Sequence, residues 1–351
     1  MMGRKPKALT AVFALVLCLA QSARAADYSS DRPALERSVL ERLLGNHKVI
    51  NIVDDFLEFW DKAKHKPLRI QRLIWIRTVE SKHREYFDRA VYRGADPEQR
   101  RDMLDEFLIR VPERVEAIRE FNRTITNTLI VAFVHFKDFR FREYQHRQDV
   151  YIGLSFFKFD GAVRPVQNEQ GIPDTLCLGA EVLASYTPDQ VRVAISHEFF
   201  HLYHFGFLFQ QAGASPEDFR SASVPLLIEG LAVVGAEDAY LGQSPAAYLH
   251  FSDDEFVAQE QELRTNAARY LDLIRSSAPP DEYARWFTQS SDGQIPSRGG
   301  YLLGYEVASR LKAAFPLEEI VRMSPAELRS HAEEELAAIS GDRVLLMAGS
   351  R

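Results

Sequence analysis

The chain is predicted to be an α+β protein, mainly helical, with a small sheet packed on one long helix. Three observations lead there. Apolar residues recur at helical spacing on both sides of a central region. Within that region lie two or three short runs rich in β-branched and aromatic residues, and a helix with marked ends follows them directly.

From Pro33 to about Asn122 the pattern is helical. Leu35, Val39, Leu43 and Leu44 share one face, and Ile52, Phe56 and Trp60 share another. Loop signals fall at Lys64 to Pro67 and at Gly94 to Pro97, and Pro112 begins or interrupts a further helix. Thr126 to Phe136, Tyr151 to Phe159 and Thr175 to Leu178 are the expected strands, with Asp160-Gly161 closing the second. Between the first two, Arg140 to Arg147 is basic with interleaved aromatics and reads as a solvated connection in an acidic chain.

The long helix starts at a capping box. Thr187 caps it, Pro188 takes the first helical position, Gln190 stands three residues after the threonine, and Gly206 offers a left-handed stop. An apolar helix over Val224 to Tyr240 comes next. Helical segments follow at about Asp254 to Arg275, Asp281 to Thr288, Gly300 to Ala314 and Pro325 to Ala338.

At 351 residues the chain is long enough for a sizeable core, and apolar and charged fractions of 46% and 26% are those of an ordinary soluble protein. The N-terminus departs from that average. Arg4, Lys5 and Lys7 precede an apolar run from Ala8 to Ala20, and Ala23-Arg24-Ala25 matches a small-residue cleavage site. Residues 1–25 therefore read as a signal peptide cleaved after Ala25, and the protein as periplasmic or secreted. The apolar run is shorter than the roughly 20 residues of a membrane span, so no stable membrane anchor is expected. Losing Arg4, Lys5, Lys7 and Arg24 takes the net charge from −7 to −11, which excludes nucleic acid as the expected partner. Cys177 alone remains after cleavage and reads as a small buried hydrophobe.

Inside the capped helix stands His197-Glu198-Phe199-Phe200-His201. Four residues apart, the two histidines lie on one helix face and can meet one ion, with Glu198 beside them. Neutral imidazole suits zinc, and a catalytic zinc site takes three protein ligands and leaves a position for water. Glu198 is then the general base. Glu229, 28 residues after His201 in an otherwise apolar helix, is the expected third ligand, because an unpaired carboxylate is costly to bury there. His204 lies on the same face as His197 and is a rival, although a place in the last helical turn equally suits an imidazole against free carbonyls. Glu237 or Asp238 could accept a hydrogen bond from a ligating histidine.

His197-Glu198-x-x-His201 followed by Glu229-Gly230-Leu231-Ala232 resembles the gluzincin branch of zinc metallopeptidases. Leu178-Gly179-Ala180-Glu181 before the helix and Gly300-Tyr301-Leu302-Leu303-Gly304-Tyr305 after it resemble, more narrowly, a bacterial family of predicted zinc-dependent proteases. The similarity covers roughly Thr126 to Ala338. It implies a zincin-like domain over residues 126–345 with a helical C-terminal lobe, preceded by a helical region over 26–125. It also implies a peptide or protein substrate held along an edge strand above the helix. Tyr301 or Tyr305, four apart on one helix face, would steady the oxyanion, the alternative for both being core packing. The competing class is an exported metal-binding or helical interaction protein without turnover.

Overall fold

The computed structural model describes residues 32–167, 171–289 and 295–341. The segment read as a signal peptide lies outside them. The described chain is α+β: many helices around one four-stranded mixed sheet. Its strands are β1 (Val49–Asn51), β2 (Val150–Gly153), β3 (Gly161–Arg164) and β4 (Thr175–Gly179). Their order is β1-β2-β4-β3, with β1 and β4 parallel to β2, and β3 antiparallel to β4 at the edge.

Two of these strands were not expected, and one expected strand is a helix. Thr126 to Phe136 lies in helix Val115–Val134 and the wider turn His135–Arg140 that continues it. The β-branched composition misleads there. The buried residues Ile118, Phe121, Ile125, Leu129 and Phe133 recur every three or four positions, and the period decides which face is buried. This helix runs unbroken across residues 125 and 126, where the helical region was expected to end. β1, from the region expected to be helical, pairs with β2 (Val49 opposite Val150, Asn51 opposite Ile152). Asn51 ends β1 and caps the next helix, its side chain accepting from the Val53 N–H at 3.0 Å.

The run expected to be a strand from Tyr151 to Phe159 stops at Gly153, because Phe156 and Phe157 adopt left-handed backbone (φ 57° and 60°). Glu181 holds that turn. One of its carboxylate oxygens accepts from the Ser155 N–H (2.8 Å), the Ser155 hydroxyl (2.9 Å) and the Phe157 N–H (2.8 Å). The turn directs Phe156 into an aromatic cluster around Trp75, stacked on Phe107 at 4.6 Å. Phe59 and Phe87 complete it at 5.3 and 5.6 Å from Trp75. The N-terminal helices are thus packed directly on the segment that leads into β3.

The long helix spans Pro188–Gln210 and packs against β3 and β4. Its capping box forms as expected: Thr187 Oγ1 accepts from the Gln190 N–H (3.3 Å) and Gln190 Oε1 from the Thr187 N–H (2.9 Å). Gly206 does not end it. Phe207 packs on Tyr203 and Phe209 stacks on Phe219 at 5.2 Å, so burial beyond the glycine carries the helix one more turn. Helix Ser223–Ala239 lies beside it, and helix Gly299–Ala314 packs on Ser223–Ala239. Those last two helices touch backbone to backbone. A side chain at Gly230 would overlap the Gly304 carbonyl, and one at Gly304 would overlap that of Leu226.

Candidate metal centre

One turn of helix Pro188–Gln210 presents His197 and His201 with ring centres 4.6 Å apart. Helix Ser223–Ala239 brings Glu229 to them. One Glu229 oxygen, Oε2, lies 3.3 Å from His197 Nε2 and 3.4 Å from His201 Nε2. Tetrahedral ligands at zinc distances of 2.0–2.1 Å are separated by about 3.4 Å, so each histidine stands at that spacing from the Glu229 oxygen. Glu198 joins the group: donor atoms of His197, Glu198 and His201 lie within 4.8 Å of one another. Both Glu198 and His201 are buried, and Glu198 Oε2 has no hydrogen-bond partner. The donor set is borderline-hard nitrogen and oxygen, which fits zinc.

The charges of the group are interdependent. Burial raises the carboxyl pKa of Glu198 against the lowering pull of His201 and His197. Burial also acts on Glu229, but the two histidines outweigh it and hold that carboxyl far below the usual range. For His201, burial is outweighed by the Glu229 carboxylate, and the imidazole pKa rises. Glu198 and Glu229 therefore stand apart in basicity although both are glutamates in one site. Such a division would suit one carboxylate to accept a proton and the other to bind a cation.

β3 closes over the site. Gly161 is in contact with Glu198, and a Cβ there would sit 2.6 Å from Glu198 Cγ. The free edge of β3, the two histidines and both glutamates line a cleft of about 570 Å³. Tyr301 lines it too, 6.3 Å from the His197 ring between ring centres. Burial, and then the charge of Glu229, raise its phenol pKa well above the ordinary value, so it is a hydrogen-bond donor at any working pH. Tyr305 was expected to be equivalent and is not. Both tyrosines pack against the cluster of Val193, Val233 and Tyr248, but Tyr305 is absent from the cleft lining.

No protein-family model, curated protein or solved structure matches the chain.

Other expectations are corrected by the geometry. His204 is not a helix-terminal imidazole, because the helix continues to Gln210; its ring is fully buried with both nitrogens unpartnered, and it lies outside both the cleft lining and the His197, Glu198 and His201 group. Asp238 cannot support a histidine, since it pairs with Arg140 (2.7 Å) and Lys312 (2.6 Å). Glu237 is absent from the cleft lining, and burial raises its carboxyl pKa. His201 Nδ1 is buried without a partner, so no carboxylate orients that ring. Cys177 is buried in β4, as expected of a small hydrophobe.

Sequence reasoning missed the wall that faces the cluster. Asp160 was read only as a turn residue, yet its carboxylate accepts from the Tyr186 hydroxyl (2.8 Å) and the Gly161 N–H (2.7 Å) inside the cleft. His250 stacks on Tyr186 at 5.0 Å, and Arg298 donates to the His250 carbonyl at 3.3 Å. His250 and Arg298 both have left-handed backbone (φ 53° and 55°), a strain that collects at functional sites. No spacing in the sequence links these four residues.

His204 gives a pH test of the fold. Burial, and then the neighbouring His201, lower its pKa to about 3. An unfolded histidine takes a proton near pH 6.5, so below that the unfolded chain binds the extra proton and the folded one does not. Stability is expected to fall from about pH 6.5 down to about pH 3 through this group, by a few kcal/mol in all. Denaturant titrations of the unchanged chain and His204→Phe at several pH values check this. Equal acid slopes in the two proteins would refute it.

Proposed function

We propose that the chain is an exported zinc-dependent metallohydrolase acting as a peptidase, with a zincin-like centre of the gluzincin kind. The reading rests on one observation above all: a single Glu229 oxygen 3.3 and 3.4 Å from the Nε2 atoms of His197 and His201. His197, His201 and Glu229 would hold the metal. When bound there, zinc would supply a water acidified to a pKa of about 7 and polarisation of the scissile carbonyl.

The residues of the chain do the rest. Glu198 takes the proton from the attacking water, for which its burial and unpartnered Oε2 suit it, and then gives that proton to the leaving amine. Tyr301 donates its hydroxyl proton as a hydrogen bond to the carbonyl oxygen as negative charge gathers there. β3, an edge strand among the described residues, runs along the cleft, and an extended substrate pairs with its outer edge beyond the Gly161 N–H that Asp160 takes. The substrate is a peptide or protein. A net negative chain gives nucleic acid no counter-charge.

Zinc analysis of the purified protein tests the centre. About one zinc per chain is expected, with a lower melting temperature after chelation. Glu229→Ala should weaken zinc binding by more than the 10–100-fold typical of losing only a supporting hydrogen bond. A chain that binds zinc no better than Glu229→Ala does would end the proposal.

Export follows from residues 1–25. No helix among the described residues is long and apolar enough to cross a membrane, which is compatible with release after cleavage. The mature protein recovered from the cell exterior or periplasm should begin at Ala26 by intact mass. Recovery in the cytosol with Met1 retained would count against export.

A further inference from the structure

We propose that Arg298 anchors a carboxylate of the substrate, so that the peptide cut in this cleft carries an anionic group within about three residues of the scissile bond. This rests on the peptidase reading of the cleft. Arg298 precedes helix Gly299–Ala314 and lines the same cleft as His197, Glu198, His201 and Glu229. Its guanidinium lies over the rings of Tyr301 and Phe251, with centroid distances of 4.8 and 5.7 Å. Among the described residues its one hydrogen bond runs from Nη1 to the His250 carbonyl at 3.3 Å. A guanidinium has five N–H donors in a planar fork, and most of this one is therefore uncommitted.

The nearby carboxylates do not take it. Asp160 and Glu255 are close enough to be influenced by the arginine charge, yet the hydrogen bonds of both among the described residues go to other groups. Asp160 is engaged by Tyr186 and Gly161. Glu255 is engaged by the Ser252 N–H (2.8 Å) and hydroxyl (2.9 Å) of its helix cap. A stacked guanidinium with free donors, whose neighbouring carboxylates Asp160 and Glu255 are held by other partners, matches a planar carboxylate arriving from outside.

Geometry limits where that carboxylate sits on the substrate. Tyr301 is 6.3 Å from the His197 ring, and the Arg298 guanidinium is 4.8 Å from Tyr301. The guanidinium is therefore no further from His197 than those two lengths laid end to end. Extended peptide covers about 3.3–3.6 Å per residue, so one to three residues bridge the gap. The group is a C-terminal carboxylate or an acidic side chain near the cut. Arg164, on β3, is the other arginine of the cleft, with Nε buried and unpartnered.

The test measures binding by calorimetry to zinc-free full chain, so that a carboxylate has no metal to bind. Three probes are used: an N-acetylated tripeptide with a free C-terminal carboxylate, its neutral amide, and the amide with aspartate in the third position. The free acid is expected to bind at least about tenfold more tightly than the neutral amide. R298Q should abolish that difference, while R164Q should keep it. Tight binding of the free acid alone assigns the C-terminus, and equally tight binding of the aspartyl amide assigns any nearby carboxylate. R298K, which keeps the charge without the fork, covers the case in which R298Q misfolds, and should retain only part of the preference. Equal affinities in the unchanged chain, no measurable binding, or a preference that survives R298Q would overturn the assignment. Zinc content and peptide hydrolysis of the same preparations report on the peptidase reading separately.

Discussion

Glu198→Gln is expected to keep its zinc and to lose about 10²–10⁴-fold in peptide hydrolysis, the usual contribution of a general base. The substitution is nearly isosteric, and Glu198 is not among the three proposed ligands, so the centre should survive it. What disappears is the proton acceptor. The same argument fixes a pH dependence. The base works when ionised, and burial raises its pKa above the ordinary glutamate value of 4.5, so kcat/KM should fall on the acid side at a pH above that value. Metal analysis, single-turnover hydrolysis and a pH profile of the unchanged chain read all three points. A variant that hydrolyses peptides as fast as the unchanged chain would remove Glu198 from the chemistry. One that loses its zinc would make Glu198 a ligand instead.

Gly304→Ala should have a large structural effect on the site. The added methyl would meet the Leu226 carbonyl, and the Gly230 backbone lies at 3.0–3.1 Å, so the obstacles are main chain and cannot rotate away. Helices Ser223–Ala239 and Gly299–Ala314 must separate, at a cost of about 1–3 kcal/mol or more. Glu229 adjoins Gly230, and Tyr301 lies on the same helix as Gly304, so zinc affinity and turnover should fall along with the melting temperature. Gly206→Ala is the contrast. Gly206 is helical with open space where a side chain would point, and alanine there should stabilise by about 0.5–1 kcal/mol. Thermal melts and zinc titrations of the two variants decide it. If Gly304→Ala melts with the unchanged chain, the close helix contact does not govern the site.

Gly230 and Gly304 let helices Ser223–Ala239 and Gly299–Ala314 approach backbone to backbone, which carries Glu229 and Tyr301 to the cleft. Gly161 acts in the same way for β3, which could not lie against Glu198 with a larger residue in its place.

Much of the centre can be read from residue order alone. The Thr187 capping box, the four-residue separation of His197 and His201, and the isolation of Glu229 in an apolar helix are local features, and the structure forms each as the spacing requires. Local composition failed where it was weighed above period. Thr126 to Phe136 has the residues of a strand and the repeat of a helix, and burial follows the repeat. Strands of three or four residues, such as β1 and β3, carry too little pattern to be recognised before their partners are known.

The sequence by itself determined the α+β class, the helix that carries the histidines, and the residue types able to form a metal centre. Those depend on backbone periodicity and caps, which act within a few residues. Tertiary structure alone decided that Tyr301 and not Tyr305 faces the cleft, that His204 is sealed in the core, and that Asp160, His250 and Arg298 form the opposite wall. These positions sit on separate elements. Their approach is set by close packing between helices, by the Glu181 turn and by an edge strand, none of which has a fixed spacing along the chain.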